Sequence, residues 1–479
     1  IIVPHFKAVV EAGTVLSEVV RLGLSLHCYA RNVYGGIFLG LLFNTYFMNK
    51  DSHIGILGNG VEGEAIAKYL LAHEYSHVTV FDEKLEGGEG SFEEAKKCDV
   101  LFRSPGVKVD RFKDFQGEMT SATKFFMEHA KGKVIGVTGT KGKGTTSTLI
   151  FEMLKEDGRD AHLGGNIGTP PLEFLDDLKE DSWTVLEMSS FQLQDLEKSP
   201  HVAVVLMTTS EHLDYHADKA EYWDAKKNIA RGQGPDDLLV LNADYEYAEE
   251  FKKEAKGHVM EVSRKLPLKE GVHTEGPVIL YCTPNTCEMV GMAKKVALPG
   301  PHNLENVMAA VAVCRWIDVP IPAIQKVLYS FAGLPHRLEL VRELNGVKYY
   351  NDSFSTTPET CIAAAHAFEG GTHLICGGSE KNSDYSEWAK NLQNSENVKS
   401  VILIGVTADE MEEELKKADP QEFPVEIYRC EHFEDAVNLA EDIAQEGEFV
   451  ILSPAAARFD MFKNYKERGE KFKKLVNEL

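Results

Sequence analysis

The chain has 479 residues, which is too long for one ordinary hydrophobic core, so about two to four domains are expected. Its formal net charge of -24 excludes the basic surface that a nucleic acid or an anionic membrane needs, although lysines and backbone amides can still bind a small anion locally. The eight cysteines are scattered, with Cys282 and Cys287 as the close pair, and this usage predicts reduced thiols.

The first 50 residues differ in character from the rest of the chain. The run YGGIFLGLLFNTYFM at 34–48 is apolar, but it is shorter than the roughly 20 residues of a membrane-spanning helix. We expect residues 1–50 to be an extension outside the fold, either unstructured or the product of a misplaced gene boundary. A membrane anchor is the alternative.

The first α/β unit is predicted over residues 51–120. An apolar strand leads into Gly58, Gly60 and Gly63, which complete the spacing G-x-G-x-x-G, and a helix and a second strand ending before Asp82 follow. In such a turn the glycines let the backbone approach a diphosphate at a helix N-terminus. The pattern indicates NAD or another nucleotide with a diphosphate and a ribose, such as a UDP group.

The second unit is predicted over residues 121–333 and contains the glycine-rich loop GTKGKGTTS at 139–147. An apolar strand precedes this loop and a segment of helical composition follows it, which is the layout of a phosphate-binding loop with Lys143 at the phosphates. Val137 stands where the first glycine is common, and Gly144 stands where a hydroxyl usually binds magnesium. We predict that the loop binds a nucleoside triphosphate.

Polar residues follow the next two predicted strands of this unit. Glu187 comes after WTVL, and His212 and Asp214 come after VAVVLM. Because ligands of α/β sheets bind at the carboxyl ends of parallel strands, a carboxylate and a histidine there would complete the magnesium shell that Gly144 cannot. His212 and His216 could instead indicate zinc, but the sequence offers no obvious third ligand.

The third unit is predicted over residues 334–479, with strands at 347–351, 373–378, 400–405 and 449–454. The chain as a whole is therefore predicted to be an α/β protein of three domains. These are an N-terminal Rossmann-like domain, a central domain with a parallel sheet and the phosphate loop, and a C-terminal Rossmann-like domain.

From Ser52 to its C-terminus the chain resembles the Mur ligases, most closely the branch that adds D-glutamate. The motifs that carry the resemblance are, in chain order, GNGVEG at 58–63, RSPGV at 103–107, GTKGKGTT at 139–146, GGNIGTP at 164–170, EMSSFQL at 187–193, EHLDYH at 211–216, YWDAK at 222–226, LPGPHNLEN at 298–306, GLPHRLE at 333–339, NDSFSTTPE at 351–359, GGSEK at 377–381 and LSPAAARFDMFKNYKERG at 452–469. This ordered set extends over all three predicted units.

The resemblance implies an ATP-dependent ligase that adds glutamate, in this branch D-glutamate, to UDP-N-acetylmuramoyl-L-alanine through an acyl phosphate. It favours UDP over NAD in the first unit and implies two Mg²⁺ ions and a lysine carbamate formed with CO2. It further implies a cytoplasmic monomer that acts in peptidoglycan synthesis, with neither a nucleic-acid partner nor a stable membrane association.

The roles of the family are carried over position by position. The residues implied to bind ATP are Gly139, Thr140, Lys141, Gly142, Lys143, Gly144, Thr145, Thr146, Asn303, Asn306, Arg337 and Asp352. Those implied to bind the UDP substrate are Gly58, Gly60, Asp82, Ser104, Gly106 and Asn166, and those at the incoming amino acid are Thr356, Lys381, Arg458 and Tyr465. The implied catalytic residues are Lys143, Glu187, His212 and Lys226, of which Glu187, His212 and carbamylated Lys226 would bind metal, with Thr145 as a further candidate.

Three positions depart from the D-glutamate-adding branch. Gly144 stands where a serine or threonine is usual. A loop with glycine at this position is more similar to the loop of the folylpolyglutamate synthetases, which belong to the same superfamily. Phe354 stands where lysine is usual, and Arg458 stands where serine is usual. Because the last two positions belong to the implied amino-acid pocket, the choice of amino acid follows less directly than the reaction class.

Three other functions are compatible with parts of the sequence. A folylpolyglutamate synthetase would share the phosphate loop but lacks an N-terminal G-x-G-x-x-G domain. An NAD-dependent oxidoreductase would explain residues 58–82 alone. A nucleotide-hydrolysing binding protein would not require Glu187, His212 and Lys226 together.

Overall fold

The computed structural model describes residues 48–84, 91–209, 218–379, 383–418, 425–456 and 461–479. These residues form an α/β protein with three β-sheets whose strands are mostly parallel, which confirms the predicted α/β class. Within the described ranges, no helix combines the length and the apolarity needed to cross a bilayer. The predicted extension, apart from residues 48–50, lies outside these ranges.

The first sheet has four parallel strands in the order β2–β1–β3–β4. Its elements are β1 Ile54–Leu57, α1 Val61–Ala72, β2 Val78–Phe81, α2 Ser91–Ala95, β3 Val100–Arg103, β4 Glu118–Thr120 and α3 Ala122–His129. One hydrophobic cluster contains Ile56 and Phe102 of this sheet together with Leu186 and Val205 of the next sheet. The first sheet is therefore packed against the central one, which brings the loops of the two sheets near each other.

The central sheet has nine strands in the order β13–β12–β11–β10–β9–β8–β5–β7–β6. Its strands are β5 Lys133–Thr138, β6 Ala161–Gly165, β7 Trp183–Glu187, β8 Val202–Val205, β9 Leu238–Asn242, β10 His258–Ser263, β11 Gly271–Glu275, β12 Val278–Cys282 and β13 Cys287–Met292. The helices are α4 Lys143–Glu156, α5 Ser190–Leu193, α6 Lys219–Arg231, α7 Tyr247–Lys252, α8 Pro301–Trp316 and α9 Ile321–Ser330. Buried aliphatic side chains of α4 and α8 cover one face of the central sheet. The two helices contact each other, and both begin close to the phosphate loop.

The hairpin of β12 and β13 is antiparallel, in contrast to the predicted parallel sheet. Cys282 and Cys287 lie opposite each other in this hairpin and form a disulfide. A turn in which the amide of Thr283 donates to the carbonyl oxygen of Thr286 at 2.8 Å brings them together. The prediction of reduced thiols is therefore wrong for this pair.

The third sheet has six strands in the order β14–β15–β19–β16–β17–β18, and all neighbours except β14 and β15 are parallel. Its strands are β14 Glu339–Leu344, β15 Val347–Asn351, β16 Thr372–Gly377, β17 Val398–Ile404, β18 Glu426–Arg429 and β19 Phe449–Leu452. The helices are α10 Pro358–Ala365, α11 Ser386–Gln393, α12 Ala408–Lys417, α13 Phe433–Ile443 and α14 Tyr465–Glu478. Two hydrophobic clusters cover its two faces, as expected for a mainly parallel sheet with helices on both sides.

Candidate active site

The glycine-rich loop connects the end of β5 to the first turn of α4, as predicted. Gly142 has a φ of 86°, and a Cβ atom there would lie 2.1 Å from Oδ1 of Asn306, so no larger residue fits without a shift of the asparagine. Nζ of Lys143 donates to the carbonyl oxygens of Gly139 and Thr140, each at 3.0 Å. The lysine therefore folds back over a turn whose amides precede a helix, which is an arrangement suited to phosphate.

Two threonines of the loop are buried at the start of α4. Thr145 is 7% exposed and Thr146 is fully buried. The hydroxyl of Thr146 has no hydrogen-bond partner among the described residues. Since a buried hydroxyl without a partner is unfavourable, this atom is a candidate contact for a bound group.

Glu187 lies beside the loop at the carboxyl end of β7 and is 4% exposed. Its Oε1 accepts a hydrogen bond of 2.9 Å from Nδ2 of Asn166, which follows the neighbouring strand β6. Its Oε2 would lie 3.0 Å from a Cβ atom at Gly144. The missing side chain at position 144 thus leaves space in which the carboxylate of Glu187 approaches the loop directly.

Lys226 of α6 is 1% exposed and lies below the same loop. Its Nζ donates to Oγ1 of Thr138 at 3.1 Å and to the carbonyl oxygen of Gly139 at 3.0 Å, and it lies 4.7 Å from the ring centroid of Tyr222. These contacts are made by the unmodified lysine side chain. The carbamate predicted on Lys226 is not shown, whereas the position of Lys226 beside the loop agrees with the prediction.

Asn303 and Asn306 in the first turns of α8 reach the other side of the loop. Nδ2 of Asn306 donates to Oδ1 of Asn303 at 3.1 Å, and Nδ2 of Asn303 donates to the carbonyl oxygen of Pro299 at 2.7 Å. A cavity of about 60 Å³ opens here between the loop, α8 and the ends of β8 and β9, with Lys141 and Glu305 in its wall. Asn306 therefore lines a cavity beside the phosphate loop.

The segment before β14 brings the third sheet to this site. Cδ1 of Leu334 would lie 3.2 Å from a Cβ atom at Gly144. Burial lowers the pKa of Arg337, and attraction to Glu187 and Asp352 opposes that shift. Cζ of Arg337 lies 3.8 Å from the ring centroid of Phe354. Glu187 of the central sheet thus attracts Arg337, which precedes β14 of the third sheet.

Asp352 directly follows β15 and is 8% exposed. Its Oδ2 accepts from Oγ of Ser453 at 3.0 Å, and its Oδ1 accepts from the amide of Leu338 at 3.1 Å. Burial raises the pKa of Asp352 to about 7, although these hydrogen bonds oppose the shift. Asp352 is thus tied to the segment that carries Arg337.

Tyr465 lies close to this group at the start of α14. Its ring centroid is 4.9 Å from that of Phe354, and its carbonyl oxygen accepts from Oγ of Ser353 at 2.8 Å. Thr356 is half-buried in the loop that follows β15. His212, Lys381 and Arg458 lie outside the described residues, as do the zinc candidates.

Of the residues predicted for the UDP substrate, Asn166 follows β6 of the central sheet, whereas the others lie at the carboxyl end of the first sheet. Gly58 has a φ of 96°, and a Cβ atom there would lie 3.1 Å from Oγ of Ser104. Oδ2 of Asp82 accepts from the amide of Asn59 at 2.9 Å, and the backbone amides around it lower the pKa of Asp82. The structure thus gives Asp82 a contact with the glycine turn that the sequence did not indicate.

Two more residues of the predicted UDP set, Gly60 and Gly106, border open space. A Cβ atom at either position would meet no atom within 4 Å. None of the described residues therefore covers the chain at Gly60 in the glycine turn or at Gly106, so both positions are accessible to a ligand.

A buried polar joint connects this sheet to the central one, and it was not assigned a role from the sequence. Arg103 is fully buried and its Nη2 lies 2.9 Å from Oδ2 of Asp195, while the same nitrogen donates to the carbonyl oxygen of Phe191 at 2.9 Å. Nε2 of Gln192 donates to Oε1 of Glu62 at 2.6 Å, and burial raises the pKa of Glu62. The partners are far apart in sequence, so only the motifs RSPGV and SSFQL themselves could have drawn attention to them.

Metal ligands are only partly covered by the described residues. Within those ranges, no group of three or more His, Cys, Asp or Glu residues is arranged to hold a metal ion. The donors at the loop nevertheless suit magnesium, because Oε2 of Glu187 accepts no hydrogen bond within the same ranges and Thr146 has an unpartnered buried hydroxyl.

Comparison with known proteins places these residues in one family. Residues 137–314 match the Mur ligase middle domain, and residues 336–456 match the Mur ligase, glutamate ligase domain. A UDP-N-acetylmuramoylalanine--D-glutamate ligase of Acetivibrio thermocellus is 39% identical over 457 residues, which cover 90% of this chain and 97% of the relative. The enzyme of the same name from Clostridium perfringens is 35% identical over 454 residues and covers 90% and 97%, respectively.

Solved structures agree at the level of the fold. A UDP-N-acetylmuramate-alanine ligase of Thermotoga maritima superposes with a TM-score of 0.56 at 17% identity and covers 89% of this chain and 99% of its own. A pseudomurein peptide ligase type C of Methanothermus fervidus gives a TM-score of 0.55 at 17% identity, with coverages of 89% and 100%. With the identities of 35% and 39% over nine-tenths of the sequence, these matches show that the chain belongs to the Mur ligase family.

Proposed function

We propose that this protein is an ATP-dependent ligase that joins D-glutamate to UDP-N-acetylmuramoyl-L-alanine in peptidoglycan synthesis. The observation that carries the proposal is the meeting of the Lys143 loop, the Glu187 carboxylate and the Arg337 segment in one site. The relatives named for this reaction match nearly the whole chain. The three sheets would then correspond to three domains, 51–120, 121–333 and 334–479, that bind UDP, ATP, and amino acid with ATP.

The reaction requires activation of a carboxylate because direct amide formation in water is uphill. A carboxylate oxygen of the alanyl group would attack the γ-phosphorus of ATP, which breaks the bond to ADP and gives an acyl phosphate. The glutamate amine would then attack the acyl carbon, lose a proton and expel inorganic phosphate. Catalysis of the first step consists mainly of positioning and of neutralising charge on the phosphoryl oxygens.

The residues at the loop match these demands. Lys143 and the amides at the start of α4 would hold the β- and γ-phosphates, and Arg337 would contact the transferred group from the third sheet. Asn166, which donates to Glu187, would guide the acid end of the UDP substrate toward the loop. Lys226, as an ammonium, would keep the loop carbonyl of Gly139 in place.

Magnesium would be held by Glu187, with His212 and the loop hydroxyls of Thr145 or Thr146 as further ligands. When bound, magnesium would neutralise charge on the phosphate oxygens. A cytoplasmic location and a monomeric state complete the proposal.

A phosphate-release assay with ATP, UDP-N-acetylmuramoyl-L-alanine and a panel of amino acids tests the function. We expect release that depends on all three substrates and is fastest with D-glutamate. Turnover with dihydropteroate would instead support a folylpolyglutamate synthetase, which the Gly144 loop resembles, and NADH formation would support an oxidoreductase. Phosphate release without an amino acid would indicate a simple nucleotide hydrolase.

A further inference from the structure

Arg337 has an unusual environment for a partly buried arginine. Its guanidinium has no hydrogen-bond acceptor and no ion-pair partner in the part of the chain that the structure describes, although Glu187 and Asp352 attract it at longer range. A guanidinium normally uses its planar fork of N–H groups on carboxylates or phosphates. The fork of Arg337 is therefore available to an anion that the described residues do not supply.

Phe354 covers the flat face of this guanidinium. Cζ of Arg337 lies 3.8 Å from the centroid of the phenyl ring, within the range of a cation–π contact. The amide of Phe354 donates to the carbonyl oxygen of His336, the neighbour of Arg337, at 3.0 Å. This backbone contact keeps the ring and the guanidinium side by side.

A second set of contacts fixes the ring from the other side. The rings of Phe354 and Tyr465 meet edge to face, with centroids 4.9 Å apart and an angle of 85° between their planes. Ser353 donates to the carbonyl oxygen of Tyr465 at 2.8 Å, and Nη2 of buried Arg468 donates to the carbonyl oxygen of Ser353 at 2.9 Å. The ring is thus held in place. Phe354 is nevertheless 39% exposed, and this exposure does not stabilise an apolar side chain.

The segment that carries Arg337 borders the phosphate loop. Leu334 approaches the Cβ position of Gly144 to 3.2 Å, and Glu187 approaches the same position to 3.0 Å. An anion held by the loop would therefore be close to the guanidinium. The edges of the fork remain for that anion, because the ring of Phe354 occupies a face.

We propose that Phe354 is a positioning residue that holds the guanidinium of Arg337 against its ring, so that the fork faces the terminal phosphate of ATP. This inference rests on the proposed function. A lysine, which is usual at this position in the D-glutamate-adding branch, could not perform this role, because its ammonium would repel Arg337. The chain thus replaces a cation with an aromatic support for a neighbouring cation.

The test compares Phe354→Leu, Phe354→Tyr and Phe354→Lys by calorimetric binding of a non-hydrolysable ATP analogue and by the KM for each substrate. Phe354→Leu should weaken analogue binding and raise the KM for ATP about fivefold, while Phe354→Tyr, which keeps the ring, should stay within about twofold. Phe354→Lys should bind at least as weakly as Phe354→Leu. The KM for the UDP substrate should not change.

Two controls separate this role from a structural one. Phe151→Leu removes a comparable ring contact with Lys155, at 5.2 Å on α4, and should leave analogue binding unchanged. In an Arg337→Ala background, Phe354→Leu should have no further effect on binding. Thermal unfolding checks that each variant is folded. If Phe354→Leu does not fold, Phe354→Tyr still provides a decisive test.

The inference requires that Phe354→Leu bind the analogue more weakly than the wild type and that Phe354→Tyr bind it nearly as well as the wild type. Any other order overturns the inference. Equal analogue binding by wild type and Phe354→Leu would contradict it, and so would an equal loss in the Arg337→Ala background. A change confined to the KM for glutamate would show that Phe354 lines the amino-acid site instead. Failure of the proposed function would look different, since the wild type itself would then bind no ATP analogue or form no amide.

Discussion

Lys143 is the residue on which the proposed phosphate binding most directly depends. Its ammonium spans the loop by contacting the carbonyl oxygens of Gly139 and Thr140. Lys143→Ala should lower ligase turnover at least about 100-fold, because the charge on the transferred phosphoryl group loses its nearest cation, while the fold survives. Phosphate release and thermal unfolding measure the two parts. Lys155→Ala in the last turn of α4 is the control, and full activity of Lys143→Ala would exclude the assigned role.

Asp352 gives the protein a pH-dependent stability of defined sign. Burial raises its pKa from 3.8 to about 7 in the folded protein. Between these values the folded state retains a proton that the unfolded chain releases, so this group makes stability fall as the pH rises from about 4 to about 7, with no further loss above.

Asp352→Asn should remove this dependence. The free energy of unfolding of the variant, relative to the wild type, should increase between pH 4 and pH 8 by on the order of a few kcal/mol. Denaturant titrations at both pH values measure the difference. Parallel pH profiles for the two proteins would mean that Asp352 keeps an ordinary pKa.

At the scale of elements, the turn between β5 and α4 requires glycine for a reason that a matched pair of variants can isolate. Gly142 and Gly158 have positive φ values of 86° and 78°, but only at Gly142 would a Cβ atom meet another residue, Oδ1 of Asn306 at 2.1 Å. Gly142→Ala should therefore displace the asparagine and weaken binding of an ATP analogue more than about tenfold.

Gly158→Ala carries similar backbone strain without the clash, on the order of 1 kcal/mol. It should lower thermal stability slightly and leave analogue binding unchanged. If both variants bind equally well, the packing of Asn306 against the loop has no functional weight.

The joint between β3 and α5 makes a second prediction at this scale. Arg103 is fully buried and its partner Asp195 is 18% exposed, so Arg103→Ala would leave a largely buried carboxylate unpaired. The cost should be about 3 kcal/mol in the free energy of unfolding, measured with urea. Arg111→Ala breaks the more exposed pair with Glu83 and should cost less than about 1 kcal/mol. Equal costs would show that the joint contributes nothing beyond a surface ion pair.

The elements that form the site could be predicted because their signals are local. An apolar run before a glycine turn indicates strand and loop directly, and Glu187 follows such a run. The contacts between distant segments could not be predicted in this way. Asp195 is 92 residues from Arg103, and the stacking of Phe354 on Arg337 depends on a backbone pairing between two connecting segments.

The disulfide shows the same limit in reverse. The spacing of Cys282 and Cys287 was visible, but general cysteine usage indicated reduced thiols. Only the turn between β12 and β13 places the two residues opposite each other. Composition describes the average environment of a residue type, whereas pairing depends on the local register.

At the scale of the whole molecule, the site exists because loops of three sheets meet. The first sheet is held to the central one by a shared hydrophobic cluster and by the Arg103 joint. The third sheet contributes the segment at 334–337, which lies against the phosphate loop. Neither the central sheet nor the third sheet alone contains both Lys143 and Arg337, so the proposed chemistry would require their association.

The central claim is that this association serves to phosphorylate a carboxylate, and oxygen-18 in the alanyl carboxylate of the UDP substrate tests it most directly. Attack of that carboxylate on ATP and later expulsion of phosphate would transfer one labelled oxygen to each phosphate released. Mass spectrometry of the phosphate and of the amide product measures the transfer. We predict singly labelled phosphate in proportion to product, whereas unlabelled phosphate accompanying amide formation would contradict the account.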